Sequence, residues 1–184
     1  SYNKAMKPTP IATLLFSCSI GSFCLERSAR GLTHCEIRAE NAPTETSVSS
    51  ASPADPLLQQ AANELQAYLE GCLQTFTVTL DLSGLSPFQQ KVLSEVRLIP
   101  WGEVRTYARV AAQINQPKAM RAVGNALAHN PLMLFIPCHR VISVDGGMHG
   151  FSAPQGLTLK AWLLTHEGHS VIDNKLATKS QKET

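Results

Sequence analysis

Residues 106–128 read TYARVAAQINQPKAMRAVGNALA, a stretch that accommodates two short helices with a tight turn between them. Thr106 suits an N-cap, because its hydroxyl can accept from a backbone N–H that the first helical turn leaves unpaired. The first helix is predicted from about Tyr107 to Ile114. Asn115-Gln116-Pro117-Lys118 then stops it, since proline breaks the interior of a helix. A second helix is predicted over Ala119 to Ala128, with Met120, Val123 and Leu127 as its buried face and Arg121, Asn125 and Ala128 outward. Such a pair is a helix-turn-helix pattern. Its second helix is an odd reader of bases, because Ala122, Gly124, Ala126 and Ala128 accompany a single Arg121 where a major-groove helix would offer several long polar side chains. Small residues allow close backbone approach without reading sequence, which suits a minor-groove or shape-based contact. The same residues would also suit tight helix packing.

On the N-terminal side, Ser86-Pro87-Phe88-Gln89 fits a capping box, followed by the stripe Phe88, Val92, Val96 and Ile99 and the break Pro100-Trp101-Gly102. On the C-terminal side, His129-Asn130-Pro131 turns the chain into the apolar run Leu132 to Ile136, predicted as a buried strand that Pro137 ends by withholding a ladder donor. Cys138 is then presented at the end of a rigid element, followed by His139 and Arg140. A thiol is a strong nucleophile only as the thiolate, a form that a nearby base or cation promotes. A Cys-His pair is equally compatible with a small buried hydrophobe or a metal ligand, so the dipeptide alone leaves the chemistry open. Val144 to Gly156 is predicted as a loop, and a last helix spans about Thr158 to His166 and ends near Gly168.

The first half of the chain has a different texture. Ser1 to Pro10 reads as a mobile or appended end, and Ile11 to Ile37 as short strands of a small sheet broken at Gly21 and Gly31. Asn41 to Ala54, rich in Ser, Thr, Ala and Pro, reads as a surface loop. Asp55 and Pro56 open a helix carrying Leu58, Ala62, Leu65 and Leu69, and Gly71 stops it. Phe76, Val78, Leu80 and Leu82 alternate as a half-buried strand. The fold class is therefore α/β (α+β), divided as 1–85, 86–169 and a polar tail at 170–184, with disorder expected from Asp173 on.

Charge follows the same division: residues 1–84 hold five Lys or Arg against eight acids, and residues 85–169 hold eight against four. A basic second half suits a polyanionic partner, although an imbalance of this size is common on solvated surfaces. Five cysteines (Cys18, Cys24, Cys35, Cys72 and Cys138) at irregular spacing argue for a reducing compartment rather than a disulfide framework. Cys18, Cys24, His34 and Cys35 could be drawn as a zinc site, but cysteines and histidines packed in a sheet are the stronger reading, and no metal is expected. No apolar run approaches the ~20 residues of a membrane span. The expectation is a soluble, cytoplasmic protein, or a nuclear one in a eukaryote.

Pro137-Cys138-His139-Arg140-Val141, taken with Trp101-Gly102-Glu103, Thr106-Tyr107, Pro117-Lys118-Ala119, Arg121-Ala122-Val123-Gly124, Leu163-Leu164 and His166-Glu167-Gly168 in consistent order, resembles the O(6)-alkylguanine-DNA alkyltransferases. The resemblance runs from Ser86 to His169 and is far weaker before it. It implies a ribonuclease H-like first domain and a winged helix-turn-helix-like second one carrying the active cysteine. It further implies stoichiometric, self-inactivating DNA repair, in which an alkyl group passes from guanine O6, or from O4 of alkylthymine, to Cys138. His139 and Glu167 would complete a triad-like relay, with no cofactor.

By the same resemblance, the second helix lies in the minor groove of alkylated double-stranded DNA through Ala122, Gly124 and Asn125. Arg121 fills the place of the flipped nucleotide, Tyr107 crowds its phosphate and donates to O6, and Gln116 touches a phosphate. Ser152 and Met148 line the base pocket, and Asn130 and Arg140 support the site. The chain would act as a monomer, with cooperativity on DNA left open. The loop at Gly150 to Gly156 is about two residues longer than the common family form and has Phe151 where Tyr is frequent, which bears on Ser152 and on the range of alkyl groups admitted. Competing functions are a lesion sensor or regulator of the same fold without transfer, against which Cys138 itself argues, and a cysteine hydrolase, for which no oxyanion hole is announced.

Overall fold

A computed structural model describes residues 9–18, 20–38 and 55–177; the loop expected at 41–54 and most of the expected mobile end lie outside the described residues. Strands β1 (Ala12–Cys18), β2 (Gly21–Arg27) and β3 (Leu32–Arg38) form an antiparallel sheet with β2 in the middle. Pairing sets Phe23 opposite Ile37 and Leu25 opposite Cys35, and helix α1 (Pro56–Leu69) packs on the sheet. Asp55 caps α1 by accepting from the N–H groups of Leu57 and Leu58, and its carboxylate also holds Arg27 at 2.6 Å. Leu58, Ala61, Ala62, Leu65, Tyr68 and Leu69 make the buried face. The helix stops in a Schellman motif: Gly71, at φ +75°, donates to Tyr68 O, and the next N–H reaches back to Ala67 O.

The segment after α1 corrects an expectation. Burial alternates as predicted from Phe76 to Leu80, with Val78 fully enclosed, but Asp81 is buried where the pattern would turn it outward, no strand forms over 76–82, and only Leu80 makes a bridge, to Leu32. Glu64 explains the difference, because its carboxylate takes the N–H groups of Thr77 and Val78 that a ladder would have used.

The second half begins with α2 (Pro87–Arg97), which carries the capping box between Ser86 and Gln89. A short strand β4 (Arg105–Thr106) leads into α3 (Tyr107–Gln113), capped by Thr106, and the turn at Asn115, φ +60°, leads to α4 (Met120–Ala128). The buried face of α4 is Val123, Ala126 and Leu127 rather than the predicted Met120, Val123 and Leu127. Met120, in the first turn, faces the cavity between the helices and the loop at 143–152 and is 48% exposed; Ala126 lies inside at 2%.

Residues 132–136 are buried as predicted but are not a strand. Leu132 bridges to Cys35 and Met133 to Ile136, while Leu134 adopts φ +72°. Asn130 imposes this turn by accepting from the N–H of Leu132 and donating to the carbonyl of Ile136, both at 3.0 Å. A single 3-10 turn (Cys138–Arg140) follows, then β5 (Val141–Ile142), parallel to β4, and α5 (Gly156–His166). The tail expected to be disordered from Asp173 begins in order instead: β6 (Val171–Ile172) pairs with β7 (Lys175–Leu176) in a hairpin across Asp173 and Asn174. Both turn residues have positive φ, the type I′ geometry that Asx residues tolerate. One core joins the sheet, α1, α2 and the helix-turn-helix, so the two halves share their interior.

Candidate active site

A cavity of about 740 Å³ opens between α3, α4, the loop after β5 and the start of α5. Tyr107 and Arg121 come from the helix-turn-helix, Ser152 from the loop, and Lys160 from α5; Cys138 is 9% exposed on the same cavity. Gly124 faces Tyr107: a Cβ at this position would lie 3.8 Å from the ring, in ordinary contact with it. Ser152 donates to Ala128 O at 2.5 Å, tying the loop to the end of α4, and the Tyr107 hydroxyl donates to His149 O at 3.2 Å. Ala122 and Asn125 are exposed on α4, and Gln116 is exposed in the turn, outside the cavity wall. Met148 does not line the cavity. It is buried with Ile142 and Leu164 in a separate small core, because the glycine-rich loop folds this apolar side chain inward.

Beneath the cysteine lies a buried ionic cluster. His139 and Glu167 are fully buried at their side chains, and His139 Nε2 lies 2.8 Å from Glu167 Oε1. Arg140 grips the same carboxylate from Nε and from its terminal nitrogen, each at 2.8 Å, and donates its other terminal nitrogen to Ile99 O. Tyr68, from α1, donates to Glu167 Oε1 at 2.6 Å. Glu167 is the C-cap of α5, where a second Schellman motif closes on Gly168, φ +90°, with donors to Thr165 O and Leu164 O. A helix C-terminus alone would oppose a carboxylate. The donors overcome that and the burial, holding Glu167 well below the usual carboxylate range.

The charges fix the imidazole. With Nε2–H directed at a carboxylate that is ionised, the neutral ring carries no proton on Nδ1, which has no hydrogen-bond partner among the described residues. Burial lowers the pKa of His139 and raises that of the Cys138 thiol; the Asn130 side chain, the Lys160 charge and the N–H groups of Cys138 and His139 pull the thiol back. Lys160 was not singled out in the sequence. It is 1% exposed, donates to Val141 O at 2.7 Å, and burial brings it down to about 8. Its signal was available: a lone lysine amid the apolar residues of a predicted helix, four positions before Leu164.

Fold and site thus define a two-part α/β protein whose helix-turn-helix walls a cavity that holds one cysteine, backed by a buried histidine and glutamate. Residues 12–82 match the family model described as 6-O-methylguanine DNA methyltransferase, ribonuclease-like domain, and residues 87–169 match its DNA binding domain. A methylated-DNA-protein-cysteine methyltransferase of Methanosarcina acetivorans is 36% identical over 154 residues, covering 84% of this chain and 96% of its own. One from Mycobacterium leprae is 41% identical over 120 residues, 65% of this chain and 71% of its own. The crystal structure of Mycobacterium tuberculosis OGT in complex with DNA superposes with a TM-score of 0.71 at 34% identity, covering 85% of this chain and 93% of that one. The chain belongs to the methylated-DNA-protein-cysteine methyltransferase family. Among the described residues, no helix is long and apolar enough to cross a membrane.

Proposed function

We propose that this chain repairs DNA by moving an alkyl group from guanine O6 to Cys138, in a unit whose DNA-binding part begins near Ser86. The observation that carries the reading is the position of Cys138 on a cavity walled by the helix-turn-helix, with an imidazole of fixed tautomer in the adjoining residue. His139 Nδ1 takes the thiol proton, directly or through one water, and Glu167 stabilises the imidazolium that forms. The S–C bond forms as the C–O6 bond breaks, the electron pair stays on guanine, and a proton from Tyr107 or Lys160 neutralises it. The thiol proton released and the proton gained by guanine balance, so the single transfer is complete in protons and electrons with Cys138 as acceptor.

DNA reaches the cavity by way of α4. Exposed Ala122, half-buried Gly124 and exposed Asn125 leave a low surface that a minor groove can approach closely, and Arg121 stands at the cavity rim to replace an extruded nucleotide. Ser152 belongs to the base pocket, and Asn130 and Arg140 hold the turn and the carboxylate. Because the product is a thioether with no leaving group for water, each chain acts once. The test is intact mass after incubation with alkylated duplex: a gain of one alkyl group per chain is expected. An unchanged mass would indicate a sensor, and repair beyond one lesion per chain a turning-over enzyme.

Arg121→Ala and Tyr107→Phe are expected to slow reaction with duplex by about 10- to 100-fold, since flipping costs a few kcal/mol that only the duplex reaction bears. Reaction of Arg121→Ala with free alkylated guanine should change several-fold at most, and Tyr107→Phe should lose less on the free base than on duplex, the remainder being its share in proton donation. Equal losses on both substrates, in single-turnover rates, would move these residues from flipping to the pocket or the core.

A further inference from the structure

The catalytic carboxylate is held from both halves of the chain. Glu167 Oε1 accepts from His139 Nε2, from Arg140 and from Tyr68, and only Tyr68 lies before residue 87, on α1. Its ring is fully buried among Phe76, Trp101 and His166, with centroids 5.2 Å, 5.2 Å and 5.7 Å away. Apolar packing alone would be served by phenylalanine. The hydroxyl instead spends its proton on the one oxygen that His139 also uses, and sits 3.4 Å from His139 Nε2. We propose that Tyr68 is a positioning residue of the transfer reaction, setting the basicity of His139 through their shared Glu167 oxygen, so that the N-terminal half is part of the active site.

The proposal rests on the function proposed above, in which His139 is the base. The charged and titratable groups around His139 are Glu167, Arg140, Lys160, Tyr68 and the adjoining Cys138. Arg140 and Lys160 disfavour the imidazolium and Glu167 favours it. Every donor on Oε1 withdraws part of the negative charge that would hold a proton on His139. Tyr68 therefore keeps the imidazole neutral, and able to act as a base, to lower pH than an undivided carboxylate would allow.

Tyr68→Phe keeps the ring, and Glu167 keeps its other donors. Single-turnover transfer from saturating methylated duplex, followed from pH 5 to 8, should show the acid limb displaced upward by about half to one pH unit, a loss that tends toward roughly three- to ten-fold at the acid end of the limb and closes above it. In a Glu167→Gln background the same substitution should leave the remaining profile in place, because the shared carboxylate is gone. Incorporation of 3-fluorotyrosine at position 68, a stronger donor of the same shape, should move the limb the other way and covers a failure of Tyr68→Phe to fold. Superimposable profiles for the folded variants, or the same shift with and without Glu167, would overturn the proposal. If the wild-type chain gains no alkyl mass, the functional reading itself has failed.

Discussion

Cys138→Ser is expected to bind duplex DNA as the parent does and to gain no alkyl mass. Cys138 stands at the cavity, while the surface proposed to meet DNA is the exposed Ala122, Asn125 and Arg121 of α4, so the substitution leaves that surface alone. A hydroxyl is close to a thiol in volume but far less acidic. At neutral pH a free thiol is a few per cent thiolate and a serine hydroxyl is scarcely ionised, so the loss in single-turnover rate should be on the order of 10⁴-fold or more. Burial already raises the Cys138 thiol above its ordinary value, and the serine inherits the same burial with weaker help from Lys160 and Asn130. Mass spectrometry of the protein and a fluorescence titration of labelled duplex measure the two arms. Measurable transfer by the serine variant would remove Cys138 from the role of acceptor, and lost DNA binding would mean that the substitution had disturbed the turn.

The elements that local chemistry specifies were legible in the sequence. Asp55-Pro56, Ser86 with Gln89, Thr106 and Gly71 each act within a few residues of themselves, and the caps and stops form where those residues stand. The two failed strands share a cause. At 76–82 Glu64 captured the backbone donors, and at 132–136 Asn130 bent the chain, so in each case a polar side chain outside the apolar run competed with a ladder that periodicity alone had suggested. Met120 and Met148 exchanged expected places because helical spacing says which residues share a face, not which of them borders a cavity or how a glycine-rich loop returns. Cys138, His139 and Glu167 were nameable through the family resemblance. Tyr68 and Lys160 were not, since each looks like part of an amphipathic helix until the fold shows what its polar end touches.

Glu167→Gln is expected to cost about 3 to 5 kcal/mol at pH 7, because it leaves Arg140 buried without its counter-charge. The amide keeps the volume, but it presents a donor where Arg140, His139 and Tyr68 all present donors, so at least one of them loses its partner. Against a domain stability of about 5 to 15 kcal/mol, the variant should unfold at a much lower urea concentration. Its dependence on pH separates charge from packing. The folded chain holds Glu167 below its ordinary value, so the carboxylate's contribution is complete above the unfolded value near ~4.3 and is lost as pH falls through the folded one. His139, lowered by burial, adds a loss of the same sign that begins near ~6.5, where the unfolded chain takes up a proton and the folded one resists it. Wild-type stability should therefore decline gently below pH 6.5 and steeply below pH 4, while the gap between wild type and variant narrows only in the second range. Urea midpoints at pH 7, 5, 4 and 3 read both curves. A gap under about 1 kcal/mol at pH 7, or one that stays constant down to pH 3, would show that Glu167 acts by shape rather than by charge, and would remove the electrostatic basis for the fixed tautomer of His139.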